Sequence, residues 1–315
     1  MTDINIGQLA TVALRNYTSK LNDNILNHNA TFYKLNQKGN VRNADGGRDI
    51  VENLEYAENS TVGWYSGEEV LDTTAQNTFD ASTFDWKQLA GTVVMTGLEE
   101  IKNGGKSRII NLLEAKLKNL GKSLRNTAAT SVYADGTGSS GKEIGGLQLL
   151  VADDPTASST VGGINQNTYS WWRNQYSAAA ATSSGNIQNR MNNMWLSCIR
   201  GTDKPDLITA DSVMYVHYLD TLQALQRFSD SDMANSGFTT VKYLQADVCY
   251  DDQAPASHMY MLNTDYLYLR PHSTRQFTAL DKRASTNQDA EVIPVVWAGN
   301  MTVSNRERQG VIIAS

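Results

Sequence analysis

Residues 106–147 decide the fold and have the sequence KSRIINLLEAKLKNLGKSLRNTAATSVYADGTGSSGKEIGGL. In the first part of this stretch, apolar residues recur at spacings of three and four, which places them on one stripe of an α-helix. The stripe consists of Ile109, Leu113, Leu117, Leu120, Leu124 and Ala128. The sequence therefore predicts a long amphipathic helix after Gly104-Gly105, followed by a glycine-rich stretch and a strand-like segment from Ile144 to Val151.

The face of this helix opposite the apolar stripe is basic. Between Lys106 and Arg125 there are six bases and one acid, a local charge of +5. At 100° per residue, four of these bases project away from the stripe, namely Arg108, Lys118, Lys122 and Arg125. We expect Lys118, Lys122 and Arg125 to be able to face DNA phosphates in a weak, salt-dependent and sequence-independent contact.

The segment preceding the helix is strongly acidic. From Asp45 to Asp85 there are ten acids and one base, a local charge of -9, so this segment cannot be a core. Strand-like pieces flank it at 50–57 and 84–96, and together they predict a long hairpin. Because a two-stranded hairpin is only marginally stable alone, it should lean on its own domain or on a neighbouring subunit.

The rest of the chain predicts a mixture of helices and strands, an α+β fold. Residues 1–44 have short apolar groups among many Asn and indicate an arm. We predict helices over 187–199 and 212–228 and a short strand over 206–209. Later strands are predicted over 259–270, 292–297 and 301–304, the last two joined across Gly299-Asn300.

Composition excludes several classes of protein. The chain has 315 residues, 40% hydrophobic and 19% charged, as in an ordinary globular protein. Cys198 and Cys249 are too far apart for a CxxC motif, which favours a reducing cytosol over a disulfide framework. The first twenty residues do not resemble a signal peptide, and no window has the length and apolarity of a membrane span. The net charge of -6 argues against a free-standing nucleic-acid reader.

One motif suggests an enzyme. Gly136 to Lys142 satisfies GxxxxGK, but the next position has Glu143 where a phosphate-binding loop needs a Ser or Thr hydroxyl. The motif also follows a helix, whereas a phosphate-binding loop follows a strand. The four histidines have no metal-ligand spacing, so we predict no catalytic residue, metal site or cofactor. A nucleotide-binding enzyme using Gly136 to Lys142 remains the alternative.

Two motifs that directly follow the long helix, Asp135-Gly-Thr-Gly138 and Ile144-Gly-Gly-Leu147, make the chain resemble the major capsid proteins of tailed bacteriophages. These proteins have the Hong Kong 97 type fold, and the order of parts agrees across nearly the whole chain. The resemblance implies an N-terminal arm (1–44), an extended loop with the first peripheral strand (45–96), a peripheral domain with the spine helix (97–147), an axial domain (148–262), and a return to the peripheral domain with the C-terminal strands (263–315).

The resemblance also implies the function. The chain would self-assemble as hexamers and pentamers of an icosahedral shell around double-stranded phage DNA, and would not be an enzyme. It would be assembled in the host bacterial cytoplasm and end in the virion. A separate scaffolding protein is implied because the chain has no room for the internal scaffold of some family members, and a decoration protein is a further possible partner. Another self-assembling phage protein, such as a tail tube or connector, is the structural alternative.

The opposite charges of loop and helix predict how subunits would join. We expect the acidic loop to reach the next subunit through Glu52, Glu55, Glu58, Glu68, Glu69 and Asp72. Candidate basic partners there are Lys106, Arg108, Arg270, Arg275, Arg283, Arg306 and Arg308. Exposed pairs contribute only ~0 to 1 kcal/mol each, so specificity would come from many repeated contacts. The alternative is that both charged segments are merely solvated faces.

Overall fold

The computed structural model describes residues 29–102, 106–157, 159–179, 182–222, 240–281, 283–284 and 288–314. Helices and strands alternate irregularly along the chain, which confirms the predicted α+β class. Among the described helices, none combines the length and the apolar character that crossing a membrane requires.

The described helices are α1 (Ala30–Gln37), α2 (Gly97–Lys102), α3 (Lys106–Ser131), α4 (Gly138–Gly141), α5 (Leu147–Leu150), α6 (Ile187–Cys198) and α7 (Ser212–Leu222). The strands are β1 (Ile50–Glu55), β2 (Phe79–Phe84), β3 (Lys87–Thr96), β4 (Thr160–Val161), β5 (Ile164–Asn165), β6 (Gln175–Ala179), β7 (Leu207–Ala210), β8 (Thr240–Tyr243), β9 (Ala246–Tyr250), β10 (His258–Leu262), β11 (Leu267–Pro271), β12 (Thr278–Ala279), β13 (Arg283–Ala284), β14 (Ala290–Val303) and β15 (Gly310–Ala314).

A five-stranded sheet is built around the long strand β14. On one side β14 pairs with β3 along residues 290–299, and on the other side it pairs with β11, β12 and β13, all antiparallel. The amphipathic helix α3 packs against β3 through Leu117, Leu120 and Leu124. Gly91 makes this close approach possible, because a Cβ there would lie 2.4 Å from the Leu120 Cδ1 atom.

A six-stranded mixed sheet lies beside it, in the order β6-β15-β10-β7-β9-β8. Helices α6 and α7 cover it with a second apolar core that contains Met191, Met194 and Tyr218. A single larger core continues across both sheets, from Leu124 on α3 to Val311 on β15. The two sheets are therefore joined by shared packing.

The glycine-rich stretch after α3 is a tight reversal. The Leu147 amide donates to the Val132 carbonyl at 2.6 Å, and Asp135 pairs with Gly145. A Cβ at Gly146 would lie 2.3 Å from the Val132 oxygen, so only glycine fits there. The reversal returns the chain to the core at the end of α3, where Leu147 and Leu150 are fully buried.

Residues 29–44 form a strap that connects the two sheets. Helix α1 is held on the six-stranded sheet by an ion pair of 2.8 Å between Lys34 and Asp247. Farther along, the Arg42 amide donates to the Leu269 carbonyl on β11, so the same segment also pairs with the five-stranded sheet. The part of the predicted arm at residues 1–28 lies outside the described residues.

Several sequence predictions are confirmed and others are wrong. The helices at 106–131 and 187–198 and the strand at 207–210 agree with prediction, and residues 223–228 of the helix predicted over 212–228 lie outside the described part. Within the segment 144–151, Leu147–Leu150 form the short helix α5 instead of a strand, because the chain folds back onto the end of α3. The two strands expected around Gly299-Asn300 are one continuous strand, β14, which the ladders on both its sides hold straight.

Two pairings also differ from the expectation. Strand β1 pairs with 79–84, whereas 87–96 joins the five-stranded sheet, so the hairpin closes earlier than predicted. The last strand, β15, does not stay with the five-stranded sheet, where the return over 263–315 was expected, but lies between β6 and β10 in the six-stranded sheet. Its fully buried Val311 packs in the larger core and its fully buried Ile312 packs in the second core under α6 and α7, so both faces of β15 are covered in this sheet.

Candidate assembly surface

The predicted extended loop is present as the hairpin of β1 and β2 with the long connection 56–78 between them. Its base is fixed by Glu52, a buried carboxylate on β1. Arg270 on β11 donates from Nε and Nη2 to the two carboxylate oxygens of Glu52 at 2.6 and 2.8 Å. The Thr302 hydroxyl donates to the same carboxylate at 2.8 Å. The hairpin is thereby anchored to the five-stranded sheet.

The next section of the loop rests on an aromatic contact. The rings of Tyr56 and Trp171 stack with centroids 4.8 Å apart. Beside them, Arg200 donates to the Glu58 carboxylate at 2.8 Å in an exposed ion pair. The Tyr56 hydroxyl also donates to the Asn77 carbonyl, which ties the two arms of the loop together. These contacts set the direction in which the remainder of the loop leaves the subunit.

The distal part of the loop presents large apolar side chains to solvent. Residues 56–78 contain no helix or strand. Trp64 and Val70 are 105% and 98% exposed, and Val62, Tyr65 and Leu71 are also exposed. We call these five residues the loop tip. Large apolar side chains exposed this close together in the sequence make the loop tip a candidate interaction site.

The six acids predicted to form the inter-subunit loop differ in burial and in bonding within the subunit. Glu52 is buried and its carboxylate is already bonded to Arg270 within its own chain. Glu55, Glu58, Glu68, Glu69 and Asp72 are exposed. Hydrogen bonds from the Thr74 hydroxyl and amide lower the pKa of Asp72, which favours its charged form. Glu58 is paired with Arg200 near the base of the loop, whereas Glu68, Glu69 and Asp72 lie in the same segment of the loop as the apolar tip.

Three of the predicted basic partners have their side chains engaged inside the subunit. Arg270 is paired with Glu52. Arg306 is fully buried and donates to the Leu150 and Trp172 carbonyls and to the side-chain oxygens of Gln166 and Asn174. Arg308 is buried beside Glu307. Two others, Arg275 and Arg283, are exposed, and the side chains of Lys106 and Arg108 lie outside the described part.

The basic face of α3 is as predicted from the helical period. Lys118 and Lys122 are exposed and Arg125 is half-buried, whereas Leu117 and Leu124 on the opposite side are buried. The two lysines are four residues apart, one helical turn, so their ammonium groups lie along the same side of the helix. This surface can meet an anionic polymer without displacing the core.

The GxxxxGK segment does not have the geometry of a phosphate-binding loop. It follows helix α3, and only the four-residue turn α4 lies within it. Ser139 and Ser140 have positive φ angles, of 51° and 61°. The Lys87 ammonium donates to the Gly141 carbonyl at 2.6 Å, so this carbonyl points to a cation within the subunit. The strand before and long helix after that a phosphate site requires are missing among these described residues.

Comparison with solved structures identifies the class of fold. The capsid asymmetric unit of cyanophage A-1(L) matches with a TM-score of 0.68 at 16% identity over 87% of this chain and 90% of that chain. The capsid of the empty gene transfer agent (GTA) particle matches with a TM-score of 0.59 at 14% identity over 89% of each chain. The chain therefore has the Hong Kong 97 type fold of tailed-phage capsid proteins.

A further match is the procapsid of satellite phage P4, which includes a size determination protein. Its TM-score is 0.53 at 9% identity, over 94% of this chain and 90% of that chain. No protein-family model matches the sequence, and no curated protein matches it significantly. The resemblance drawn from the two glycine motifs and the order of elements is thus confirmed at the level of the fold.

Sequence reasoning missed the apolar part of this surface. Trp64, Val70 and Leu71 lie in a segment without helical or strand periodicity, where apolar side chains have no core to enter. Large apolar residues in a segment without helical or strand periodicity were the sequence signal from which an exposed apolar surface could have been predicted. The stacking of Tyr56 on Trp171 could not be predicted from a local sequence pattern, because the two residues are 115 positions apart in the sequence.

Proposed function

We propose that this chain is a major capsid protein that self-assembles into hexamers and pentamers of an icosahedral shell enclosing double-stranded phage DNA. It acts by assembly without catalysis, is assembled in the host bacterial cytoplasm and ends in the virion. The fold shared with phage capsid chains supports this function, and the loop tip is the observation that carries it.

The loop tip supplies an anchor for a second copy of the chain. Glu52 and the Tyr56–Trp171 stack fix the base of the loop to the subunit body, and the tip lies beyond this fixed base along the chain. A well-packed Trp or Tyr at the centre of an interface contributes ~2 kcal/mol or more to binding. That exceeds the ~0 to 1 kcal/mol of an exposed ion pair, so apolar burial provides the affinity.

The exposed acids then provide orientation. Glu68, Glu69 and Asp72 are exposed in the same segment as the tip, and the exposed Arg275 and Arg283 are predicted partners on a neighbouring subunit, together with Lys106 and Arg108, whose side chains lie outside the described part. Complementary charge accelerates encounter and disfavours wrong registers more than it adds affinity. Assembly should therefore tolerate loss of one acid better than loss of Trp64.

The test is shell formation by a Trp64→Ala variant, with Thr73→Ala as the matched control in the same exposed loop. A loss of ~2 kcal/mol per contact corresponds to roughly 30-fold weaker association, repeated at every subunit. Negative-stain microscopy should show closed shells for the wild type and the control, and mainly unassembled subunits for Trp64→Ala. Circular dichroism should show the same fold for all three. Normal shells from Trp64→Ala would refute the role of the tip.

The same micrographs separate the alternatives. A tail-tube or connector protein would form tubes or single rings in place of closed shells. Unassembled protein that binds ATP, with binding lost in Lys142→Ala, would favour the nucleotide-binding enzyme, although the helix preceding Gly136 disfavours it.

Assembly of a shell around DNA would require binding partners other than further copies of the chain. We propose a separate scaffolding protein, in keeping with the size determination protein contained in the P4 procapsid. A decoration protein is a further candidate partner on the finished shell. The basic face of α3, with Lys118, Lys122 and Arg125, is our candidate for weak, non-specific contact with packaged DNA.

A further inference from the structure

Strand β3 forms an edge of the five-stranded sheet. In its antiparallel ladder with β14, Thr92 is paired with Pro294. The Pro294 carbonyl accepts from the Leu280 amide at 2.8 Å, on the side of β14 away from β3. The two residues of such a pair turn their N–H and C=O groups away from each other, so those of Thr92 point out from the sheet. Every second residue of the strand does the same, which adds Ala90 and Gln88. We call these three residues the open edge.

The far end of β3 is closed by side chains. The Lys116 ammonium on α3 donates to the Val94 carbonyl at 2.8 Å, and the Glu99 carboxylate accepts from the Thr96 amide at 3.2 Å. These two backbone groups point outward on the same side as those of the open edge. Among the described residues, no hydrogen bond engages the outward N–H and C=O groups of the open edge itself. The open edge therefore has three donors and three acceptors without a partner in the described chain.

The opposite edge of the same sheet, at β11, is covered by the strap. The Leu269 amide donates to the Asn40 carbonyl at 3.1 Å, and the Leu269 carbonyl accepts from the Arg42 amide at 3.0 Å. Beside the open edge there is instead a cleft of about 980 Å³, which is lined by residues 88–90 of β3 and by residues 126–128 of α3. A further strand has room to approach β3 there.

The sequence of β3 lacks the usual protection of an edge strand. Natural sheets guard their edges against pairing with Lys, with other charged residues or with Pro. Residues 88–95, QLAGTVVM, contain none of these. The base of the strand, Lys87, donates to the Gly141 carbonyl at 2.6 Å within the subunit. The open edge thus offers no charge to an acidic segment such as the loop, which favours an uncharged strand as its partner.

The same strand of a second copy meets this requirement. In an antiparallel pair centred on Ala90, this residue lies opposite Ala90 of the partner subunit, and Gln88 lies opposite Thr92 of the partner subunit. No like charges face each other across the pair. Three N–H groups from each copy then make six backbone hydrogen bonds, so every group of the open edge is used.

Helix α3 permits this approach. It packs over both β3 and β14, since Leu117 shares a core with Val93 and Ile293. With strands about 4.8 Å apart, two copies of α3 placed over the groove between these strands would lie about 10 Å apart, a usual distance for packed helices. Thr127, which lines the cleft, and Ser123, one turn earlier, are exposed and uncharged, so this side of α3 can face its counterpart.

The basic face of α3 points elsewhere. At 100° per residue, Lys118 and Lys122 lie about 180° and 140° around the helix from Thr127. Repulsion between the basic faces of two copies therefore does not oppose the pairing.

We propose that the open edge is a two-fold interface, at which β3 pairs antiparallel with β3 of a second copy about Ala90. The pairing joins the two five-stranded sheets into one continuous sheet. The interface is isologous, because each copy contributes the same residues. It is separate from the loop tip, so one subunit can hold one neighbour through its loop and another through its edge. The contact does not depend on the proposed function.

Disulfide formation tests the register. Residues directly opposite each other in a hydrogen-bonded antiparallel pair have Cα atoms about 5.5 Å apart, within the range that a disulfide spans. Mild oxidation of full-length Ala90→Cys should therefore give covalent dimers on a non-reducing gel. Both natural cysteines are buried, and burial raises the pKa of Cys198 to about 12 and that of Cys249 as well, so their thiols do not compete.

Thr92→Cys is the matched control on the same edge. The two copies of this residue would lie roughly 14 Å apart, too far for a disulfide, so the variant should stay monomeric on the gel. Gln88→Cys/Thr92→Cys should give dimers again, with position 88 of one chain joined to position 92 of the other in the mass spectrum. No dimer from Ala90→Cys, or equal dimer yields from Ala90→Cys and Thr92→Cys, would overturn the proposal.

Proline substitutions measure what the backbone hydrogen bonds contribute. Ala90→Pro removes an N–H that β3 does not use within its own sheet, so the subunit should fold while the interface loses two hydrogen bonds. Association of unassembled subunits, measured by sedimentation equilibrium, should become about 30-fold weaker. Val94→Pro removes an outward N–H beyond the paired residues and should leave association unchanged. Equal effects of the two prolines, with the fold of each checked by circular dichroism, would contradict the pairing.

Hydrogen exchange distinguishes other occupants of the open edge. The amides of Gln88 and Thr92 should gain protection as the concentration of the chain rises. Full protection at the lowest concentration would mean that the same chain covers its own edge, and would overturn the proposal. Each sample is also imaged by negative-stain microscopy, so failure of this contact is scored separately from failure of shell formation.

Discussion

Glu52 and Arg270 form a bidentate ion pair, with N–O distances of 2.6 and 2.8 Å, between the first strand of the loop hairpin and an edge strand of the five-stranded sheet. The carboxylate is only 7% exposed and also accepts from the Thr302 hydroxyl. The sequence places Glu52 in an acidic segment of local charge -9, for which we expected a solvated loop. In the structure, Glu52 is the residue that fixes this loop to the subunit body.

We expect Glu52→Gln to destabilise the subunit by about 2 kcal/mol or more, because the partly buried Arg270 would lose its counter-charge. Glu55→Gln, on the same strand but exposed, should change the free energy of unfolding by less than about 0.5 kcal/mol. Denaturant unfolding of both variants makes the comparison. A Glu52→Gln/Arg270→Met double variant should lose less than the sum of the single changes. Equal unfolding midpoints for Glu52→Gln and Glu55→Gln would contradict this role.

Arg306 is a buried cation held by four neutral acceptors, and burial lowers its pKa to about 9. Arg306→Lys keeps the charge but has three donors on one nitrogen instead of the planar set, so at least one of the four acceptors loses its partner. We expect a loss of ~3 kcal/mol or more in unfolding free energy. Arg275→Lys is the exposed control and should be neutral. Unfolding curves that superpose for the two variants would show that the four hydrogen bonds contribute nothing.

His258 gives the subunit a pH dependence near neutrality. Its Nδ1 lies 2.7 Å from the Ala256 carbonyl and its Nε2 3.1 Å from the Asp153 carboxylate, so both nitrogens face acceptors. Burial lowers the pKa of His258, but these hydrogen bonds raise it more, and the net shift is upward from 6.5. The resulting stability is fully present below about pH 6.5 and is lost as pH rises through the folded-state pKa.

The measurement is unfolding free energy at about pH 5.5 and about pH 8.5 for the wild type and His258→Gln. The stability difference between the two proteins should be larger at the lower pH. Ser184→Ala, at an exposed position without a titratable group, serves as the control and should not alter the pH dependence. A difference that grows toward higher pH would have the wrong sign and would exclude a charged His258.

The basic face of α3 should give DNA affinity a measurable salt dependence. If Lys118 and Lys122 each neutralise one phosphate, Lys118→Gln/Lys122→Gln should reduce the slope of log affinity against log salt by about 1.8. Lys204→Gln, an exposed lysine next to the six-stranded sheet, should leave the slope unchanged. Titrations of isolated capsomers with double-stranded DNA over a range of salt concentrations check this. An unaltered slope in the double variant would place the DNA contact elsewhere.

Local patterns predicted the elements that depend on local physics. The spacing of Leu117, Leu120 and Leu124 specified helix α3 because side-chain contact along a helix repeats every three to four residues. The glycine motifs predicted a reversal, and Gly146 shows why, since no side chain fits against the Val132 carbonyl. The prediction of a strand over 144–151 was wrong, because tertiary packing of the leucines in this segment overrides its strand-like composition.

The sequence by itself determined the long helix with its basic face, the acidic hairpin segment, the glycine-rich reversal and, from their order, the capsid-type fold. Only the tertiary structure decided which charged side chains are already paired within the subunit. Glu52, Arg270 and Arg306 bond to partners that are far away in the sequence. It also decided that the apolar tip around Trp64 stays in solvent, and that β15 crosses to the other sheet. Charge and hydrophobicity are properties of a residue, but burial and partnership are properties of the folded chain.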